Sequence, residues 1–235
     1  MGVIAFVKRT PSAALLVAQL LGVLLYPFME YTTGGRADFA IYGNLVLSLA
    51  VIVVRTTPFL SWVSVLIAAP AMVLLTLQVF SESHTLFAWS SGFEAVLYFY
   101  AAGSMTAYML NDTRVSLDEL FAIGTVFTLL AWAFAYVYVV LQALDPNSFT
   151  STGGEVHSWV DMLFLSFTIL TGTGMSDILP TTGHAKSVVM VEQAVGLFYV
   201  AMVVTRLIGL QAMRKRVLPG PSTSWPCHSR PIPSR

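Results

Sequence analysis

Residues 161–177 read Asp161-Met162-Leu163-Phe164-Leu165-Ser166-Phe167-Thr168-Ile169-Leu170-Thr171-Gly172-Thr173-Gly174-Met175-Ser176-Asp177, with Pro180 close behind. An apolar, aromatic-rich run thus gives way to threonines and glycines. The run is too short to cross a bilayer, whose core needs about 20 apolar residues of helix. At membrane depth, irregular backbone survives only where it is buried in protein or lines a water-filled path. The segment therefore reads as re-entrant: a short helix that enters the membrane and turns back through a glycine-bearing loop.

The composition around it agrees. The 235-residue chain is 56% hydrophobic and 10% charged, with a mean hydropathy of +0.75, far from the average soluble domain. This is the composition of an integral membrane protein. Twelve Lys and Arg balance twelve Asp and Glu, so there is no basic face for nucleic acid. Cys227 stands alone in the tail and supports neither an intramolecular disulfide nor a multi-cysteine metal site. No His-Glu-x-x-His or nucleophile-elbow pattern is present. Gly172-Thr173-Gly174 lacks the preceding soluble strand and the third glycine of a dinucleotide fingerprint. We therefore expect neither enzyme activity nor a cofactor.

Apolar runs at 11–29, 38–54, 58–80, 86–110, 117–143 and 187–210 each approach spanning length, and 158–171 is the short one. The breaks between them are polar or turn-forming: Thr33-Gly34-Gly35-Arg36, Thr57-Pro58 and Asn111-Asp112-Thr113-Arg114. The expected fold class is an all-α integral membrane protein with six transmembrane helices plus a re-entrant helix and loop. Lys8 and Arg9 precede the first run, which closes on Tyr26-Pro27-Phe28-Met29-Glu30 rather than a small-residue cleavage site, so it reads as a retained span. A cytoplasmic N-terminus places Lys8, Arg9, Arg55, Arg114, Arg214, Lys215 and Arg216 inside, and only Arg36 and Lys186 outside. Both termini are then cytoplasmic in a multi-pass inner-membrane protein. Asp145, Glu155, His157, Asp177 and His184 fall on the outer face, where acids raise local cation concentration or merely solubilise a loop.

From about Leu117 to Leu210 the chain resembles the pore module of prokaryotic members of the potassium channel superfamily. The motifs that carry the resemblance are Asp145-Pro146-Asn147-Ser148-Phe149, the stretch Asp161 through Leu170, and Asp177-Ile178-Leu179-Pro180. Glu192, Gly196, Tyr199, Ala201, Arg206, Leu207 and Gly209 add the spacing of that family's inner helix. The resemblance implies a homotetramer in the lipid bilayer. Its permeant ion, potassium or another monovalent cation, is held at the carbonyls of Thr171, Gly172, Thr173 and Gly174. Such a filter replaces the ion's water shell with rings of backbone carbonyls from a loop that usually reads Thr-Val-Gly-Tyr-Gly. Implied domains are 1–115, a four-helix domain; 116–212, the pore domain; and 213–235, a disordered cytoplasmic tail.

The filter departs from the family pattern. Anchoring without gaps on Asp177, the preferred register, makes it Gly172-Thr173-Gly174-Met175-Ser176, with serine where the second glycine belongs. Serine in a left-handed conformation costs about 1–2 kcal/mol. Methionine lacks the hydroxyl through which the family's tyrosine bonds to the surrounding pore helix. A second register, Leu170-Thr171-Gly172-Thr173-Gly174, keeps both glycines and treats Met175 and Ser176 as inserted. In either case Thr171 to Ser176 form the expected ion path, with relaxed selectivity. The alternative is a non-conducting scaffold or small-molecule transporter that reuses the pore fold.

Several intramembrane residues have paired readings. Asp161 suits the positive end of the pore-helix dipole, and it, Asp177 and Glu192 are expected to support the filter, Glu192 through a structural hydrogen bond. Gly196 is either a gating hinge or a point of close helix packing. Glu94 either pairs within the bundle or snorkels to the interface, and Arg206 either snorkels or takes part in gating. The fourth run, Leu86 to Tyr100, holds no Lys or Arg, so little voltage dependence is expected, at roughly 2.3 kcal/mol per gating charge per 100 mV.

Overall fold

The computed structural model describes residues 11–30, 35–55, 61–77, 84–111, 117–150 and 156–217. Lys8, Arg9, Thr33-Gly34, Thr57-Pro58, Asp112 to Arg114, Glu155, and the tail from 218 onward with Cys227 lie outside the described residues. Among those described, the chain is all-helical. In order come α1 (Pro11–Glu30), α2 (Gly35–Arg55), α3 (Ser61–Leu77), α4 (His84–Asn111), α5 (Leu117–Leu144), a 3-10 turn (Pro146–Ser148), α6 (Trp159–Leu170) and α7 (Gly183–Val217).

Each helix falls on one of the apolar runs. Among the described residues two stretches are long and apolar enough to cross a membrane, Leu120–Leu144 within α5 and Gly183–Gly209 within α7. The apolar stretches Pro11–Tyr26, Ile41–Val54 and Ser64–Leu77 of α1 to α3 fall short of the ~20 residues that a spanning helix needs. In α4, buried Ser90, Ser91, Glu94 and Ser104 interrupt the apolar sequence. Pro70 sits inside α3, a position that membrane helices tolerate better than soluble ones.

α4 and α5 share the most extensive interface, and small side chains explain it. Ala95, Ala101, Ala102, Ala131, Ala133 and Ala135 are all buried, which lets the backbones approach. Larger rings fill the remaining space: Phe99 meets Phe134 edge-on at 4.9 Å, and Tyr98 stacks on Tyr136 at 5.8 Å.

A polar seam joins α1 to α5. Ser12 Oγ donates to Asp118 at 3.2 Å, Thr125 Oγ1 to the Ser12 carbonyl at 2.8 Å, and Thr128 Oγ1 to Gln19 at 2.7 Å. α1 and α4 pack on α5, α2 and α3 join the bundle through α1 and α4, and the short helix α6 contacts both α5 and α7.

Candidate pore site

α6 begins with a reciprocal cap. The Ser158 hydroxyl accepts from the Asp161 N–H at 3.3 Å, while Asp161 Oδ2 accepts from the Ser158 N–H at 3.0 Å. Two orphan donors of the first turn are thereby satisfied, with a carboxylate at the positive end of the helix dipole. Most of the helix is buried, including Trp159, Met162, Leu163, Leu165, Ser166, Thr168, Ile169 and Leu170.

The far end opens into the loop. Thr171 is the C-cap, and its N–H donates to the Phe167 carbonyl at 3.0 Å. Gly172 and Gly174 follow with φ of 71° and 62°. The Thr168 carbonyl accepts from the N–H groups of both Thr173 (3.0 Å) and Gly174 (3.2 Å), satisfying part of the helix's unpaired C-terminal end. The hydroxyls of Thr171 and Thr173 lie 3.1 Å apart. Residues 171–175 are exposed, Met175 to 77%.

This geometry corrects the expectation attached to the ungapped register. Ser176 is not left-handed; among the described residues only Gly172 and Gly174 have positive φ. The loop takes its left-handed pair where no Cβ opposes it, following the Gly-x-Gly rhythm of the second register, so the strain foreseen at Ser176 does not arise. Gly174→Ala is therefore expected to destabilise the protein by about 1–2 kcal/mol per chain, whereas Ser176→Gly should stay within about 0.5 kcal/mol. Thermal unfolding in detergent reads both, and equal shifts would contradict the assignment.

Downstream, the chain is stitched to the outer loop. The Ser176 hydroxyl accepts from the Ile178 N–H at 3.2 Å. The Thr150 N–H donates to the Leu179 carbonyl, and Thr150 Oγ1 accepts from the Leu179 N–H, both at 2.8 Å. The Thr181 N–H reaches the Ser148 carbonyl at 2.9 Å, and its hydroxyl reaches the Asn147 carbonyl. Asp145 caps the 3-10 turn by accepting from the Asn147 N–H at 3.0 Å. Asp177 itself is exposed, and its carbonyl accepts from Thr150 Oγ1 at 3.4 Å.

Behind the loop lies Glu192, fully buried on α7. Its two oxygens accept from the hydroxyls of Tyr138 on α5 and Ser166 on α6. One carboxylate thus ties together the three helices of this half of the chain. Reading the sequence identified Glu192 but missed Tyr138 and Ser166, whose signal was a hydroxyl inside an otherwise apolar stretch. Ser166 also lies 2.8 Å from the Ala131 carbonyl, and Tyr199 on α7 donates to the Ile123 carbonyl on α5 at 2.6 Å.

Gly196 is buried against the end of α6. A Cβ there would overlap the Leu170 carbonyl oxygen and come within 3.1 Å of the Leu170 Cα, so close backbone approach accounts for this glycine. Arg206 is half-buried further along the same helix. Glu94 does not snorkel: it is buried within the helix bundle and accepts from Ser90 Oγ at 3.0 Å.

α5, α6 and most of α7 fall within the part of the chain that matches a known family. Residues 117–210 match the family model described as an ion channel. Protein LctB of Geobacillus stearothermophilus is 28% identical over 119 residues, covering 48% of this chain and 88% of that protein. No solved structure matches the chain.

Proposed function

We propose, from the match of residues 117–210 to the ion-channel family model, that the chain forms a homotetrameric, potassium-channel-like pore conducting monovalent cations with relaxed selectivity. The observation that carries this reading is a short, buried helix ending in an exposed loop whose two left-handed residues are both glycine. Four such loops around an axis would offer the carbonyls of Thr171, Gly172, Thr173 and Gly174 to a dehydrated potassium or similar ion, with Met175 and Ser176 at the outer end. Uneven burial supports assembly. The spanning stretch of α5 is 61% buried and that of α7 only 22%, leaving Leu197, Phe198 and Val204 uncovered for neighbouring copies and lipid.

In this reading α1 to α5 and α7 cross the inner membrane, and both termini are cytoplasmic, as the Lys and Arg distribution favours. The stretch of α4 from Leu86 to Tyr100 carries no gating charge, so conductance should be nearly flat with voltage. A steep conductance–voltage curve in planar bilayers would contradict this.

The decisive test is reconstitution into liposomes with a potassium or sodium gradient. We expect flux of both ions above that of empty vesicles, and flux equal to empty vesicles would overturn the proposal. A second reading, a non-conducting scaffold or small-molecule transporter on the pore fold, is favoured by the way Thr173 and Gly174 fold back onto the Thr168 carbonyl. Under that reading, restoring Thr-Val-Gly-Tyr-Gly across 172–176 would switch on a flux that the parent lacks.

A further inference from the structure

Four donors converge on one acceptor at the C-terminal end of α6. The Thr168 carbonyl takes the N–H groups of Thr173 and Gly174 at 3.0 and 3.2 Å, and the hydroxyls of Thr173 and Thr171 lie 3.3 and 3.4 Å from it. A carbonyl oxygen has two lone pairs, and the two N–H groups fill them. The hydroxyl protons therefore go elsewhere. Thr171 donates to the Phe167 carbonyl at 2.7 Å, and Thr173, whose oxygen is 3.1 Å from that of Thr171, donates to Thr171.

The result is a short chain of hydrogen bonds from Thr173 through Thr171 to Phe167. Each hydroxyl oxygen has two acceptor lone pairs, so this chain leaves both on Thr173 and one on Thr171. Both residues are exposed. Bonds in such a chain polarise one another, which makes the Thr173 oxygen at its head a better acceptor. Thr171 is also the C-cap of α6, where the negative end of the helix dipole lies. These surroundings suit a cation. Neither hydroxyl stands where the usual filter has its threonine, a place taken by Leu170 or Gly172 in the two registers.

We propose that the hydroxyl pair of Thr171 and Thr173 supplies side-chain ligands to a hard monovalent cation such as potassium, with Thr173 Oγ1 setting ion preference. Hard ions take oxygen ligands, and neutral oxygens suit a single charge, whereas divalent sites are built on carboxylates. The proposal rests on the assembly inferred above, because one pair of hydroxyls is a weak site and four copies about an axis bring four pairs to the same ion. It goes beyond the backbone carbonyls of the loop by assigning part of the ion's shell to side chains.

The full chain in detergent is heated in rising potassium chloride, with choline chloride holding the ionic strength constant, and unfolding is followed by light scattering. An ion that binds only the folded protein raises the midpoint. We expect a saturable rise. Thr173→Val keeps the side-chain shape and the N–H bond to Thr168 but loses the hydroxyl, and it should need at least fivefold more potassium for half the rise. Thr173→Ser, which keeps the hydroxyl, should titrate within twofold of the parent. In liposomes, Thr173→Val should shift the ratio of potassium to sodium flux at least threefold. A Thr173→Val chain with the parental titration overturns the proposal, since the carbonyls alone then hold the ion and water covers the hydroxyls. A parent with no saturable rise overturns it as well. If the parent titrates as expected but carries no flux, the titration decides alone: the hydroxyl site stands and conduction is what fails. If Thr173→Val does not fold, Thr171→Val replaces it, with the same expected loss and the same overturning result.

Discussion

Gly196→Ala is expected to lower ion flux at least tenfold and to destabilise the protein by about 1–3 kcal/mol per chain, the usual range for overpacking a well-filled site. The added methyl would collide with the backbone carbonyl of Leu170, not with a side chain that can rotate away. Leu170 is the last residue of α6, so the displacement is delivered to the base of the loop. Two roles for Gly196 make different predictions. A hinge would change open probability and leave unfolding untouched, whereas close approach lowers the thermal midpoint together with the flux. Light-scattering-detected unfolding of the detergent-solubilised protein, paired with liposome flux, separates them. An alanine variant with parental midpoint and flux would refute the close-approach account.

Glu192→Leu should have an effect of similar size, for a different reason. Removing the carboxylate leaves the buried Tyr138 hydroxyl without its acceptor, at about 1–3 kcal/mol. Ser166 keeps the Ala131 carbonyl at 2.8 Å and should suffer less. Glu192→Gln retains an acceptor oxygen and should cost less than Glu192→Leu. Pairing Glu192→Leu with Tyr138→Phe should recover part of the loss, because deleting both partners of a buried hydrogen bond is cheaper than deleting one. A double variant as unstable as the sum of the singles would mean that the two side chains are not coupled in the folded protein.

Much of the architecture was legible in the chain. Helix positions followed from the lengths of apolar runs, because a bilayer imposes a minimum length and forbids unpaired backbone at its centre. The reciprocal cap of Ser158 and Asp161 is a local spacing. The short length of the 158–171 run, with glycines at its end, was enough to mark the short helix α6 and the loop that follows it. Among the described residues the apolar stretches of α1 to α3 are shorter than those of α5 and α7, so length marks the last two spans more sharply than the first three.

What the sequence determined by itself was therefore the set of helices, their order, and a glycine-bearing loop between the last two. Only the structure shows which loop residues are left-handed, Gly172 and Gly174 and not Ser176, because two readings of the loop fitted the same residues. Tertiary structure alone decided that Gly196 answers to Leu170, that Glu192 is shared by Tyr138 and Ser166, and that Glu94 is buried in the helix bundle. The physical reason is common to these cases. Apolar length and capping act within a few residues along the chain, whereas a contact between distant helices depends on the angle and depth at which they meet, which no local pattern encodes.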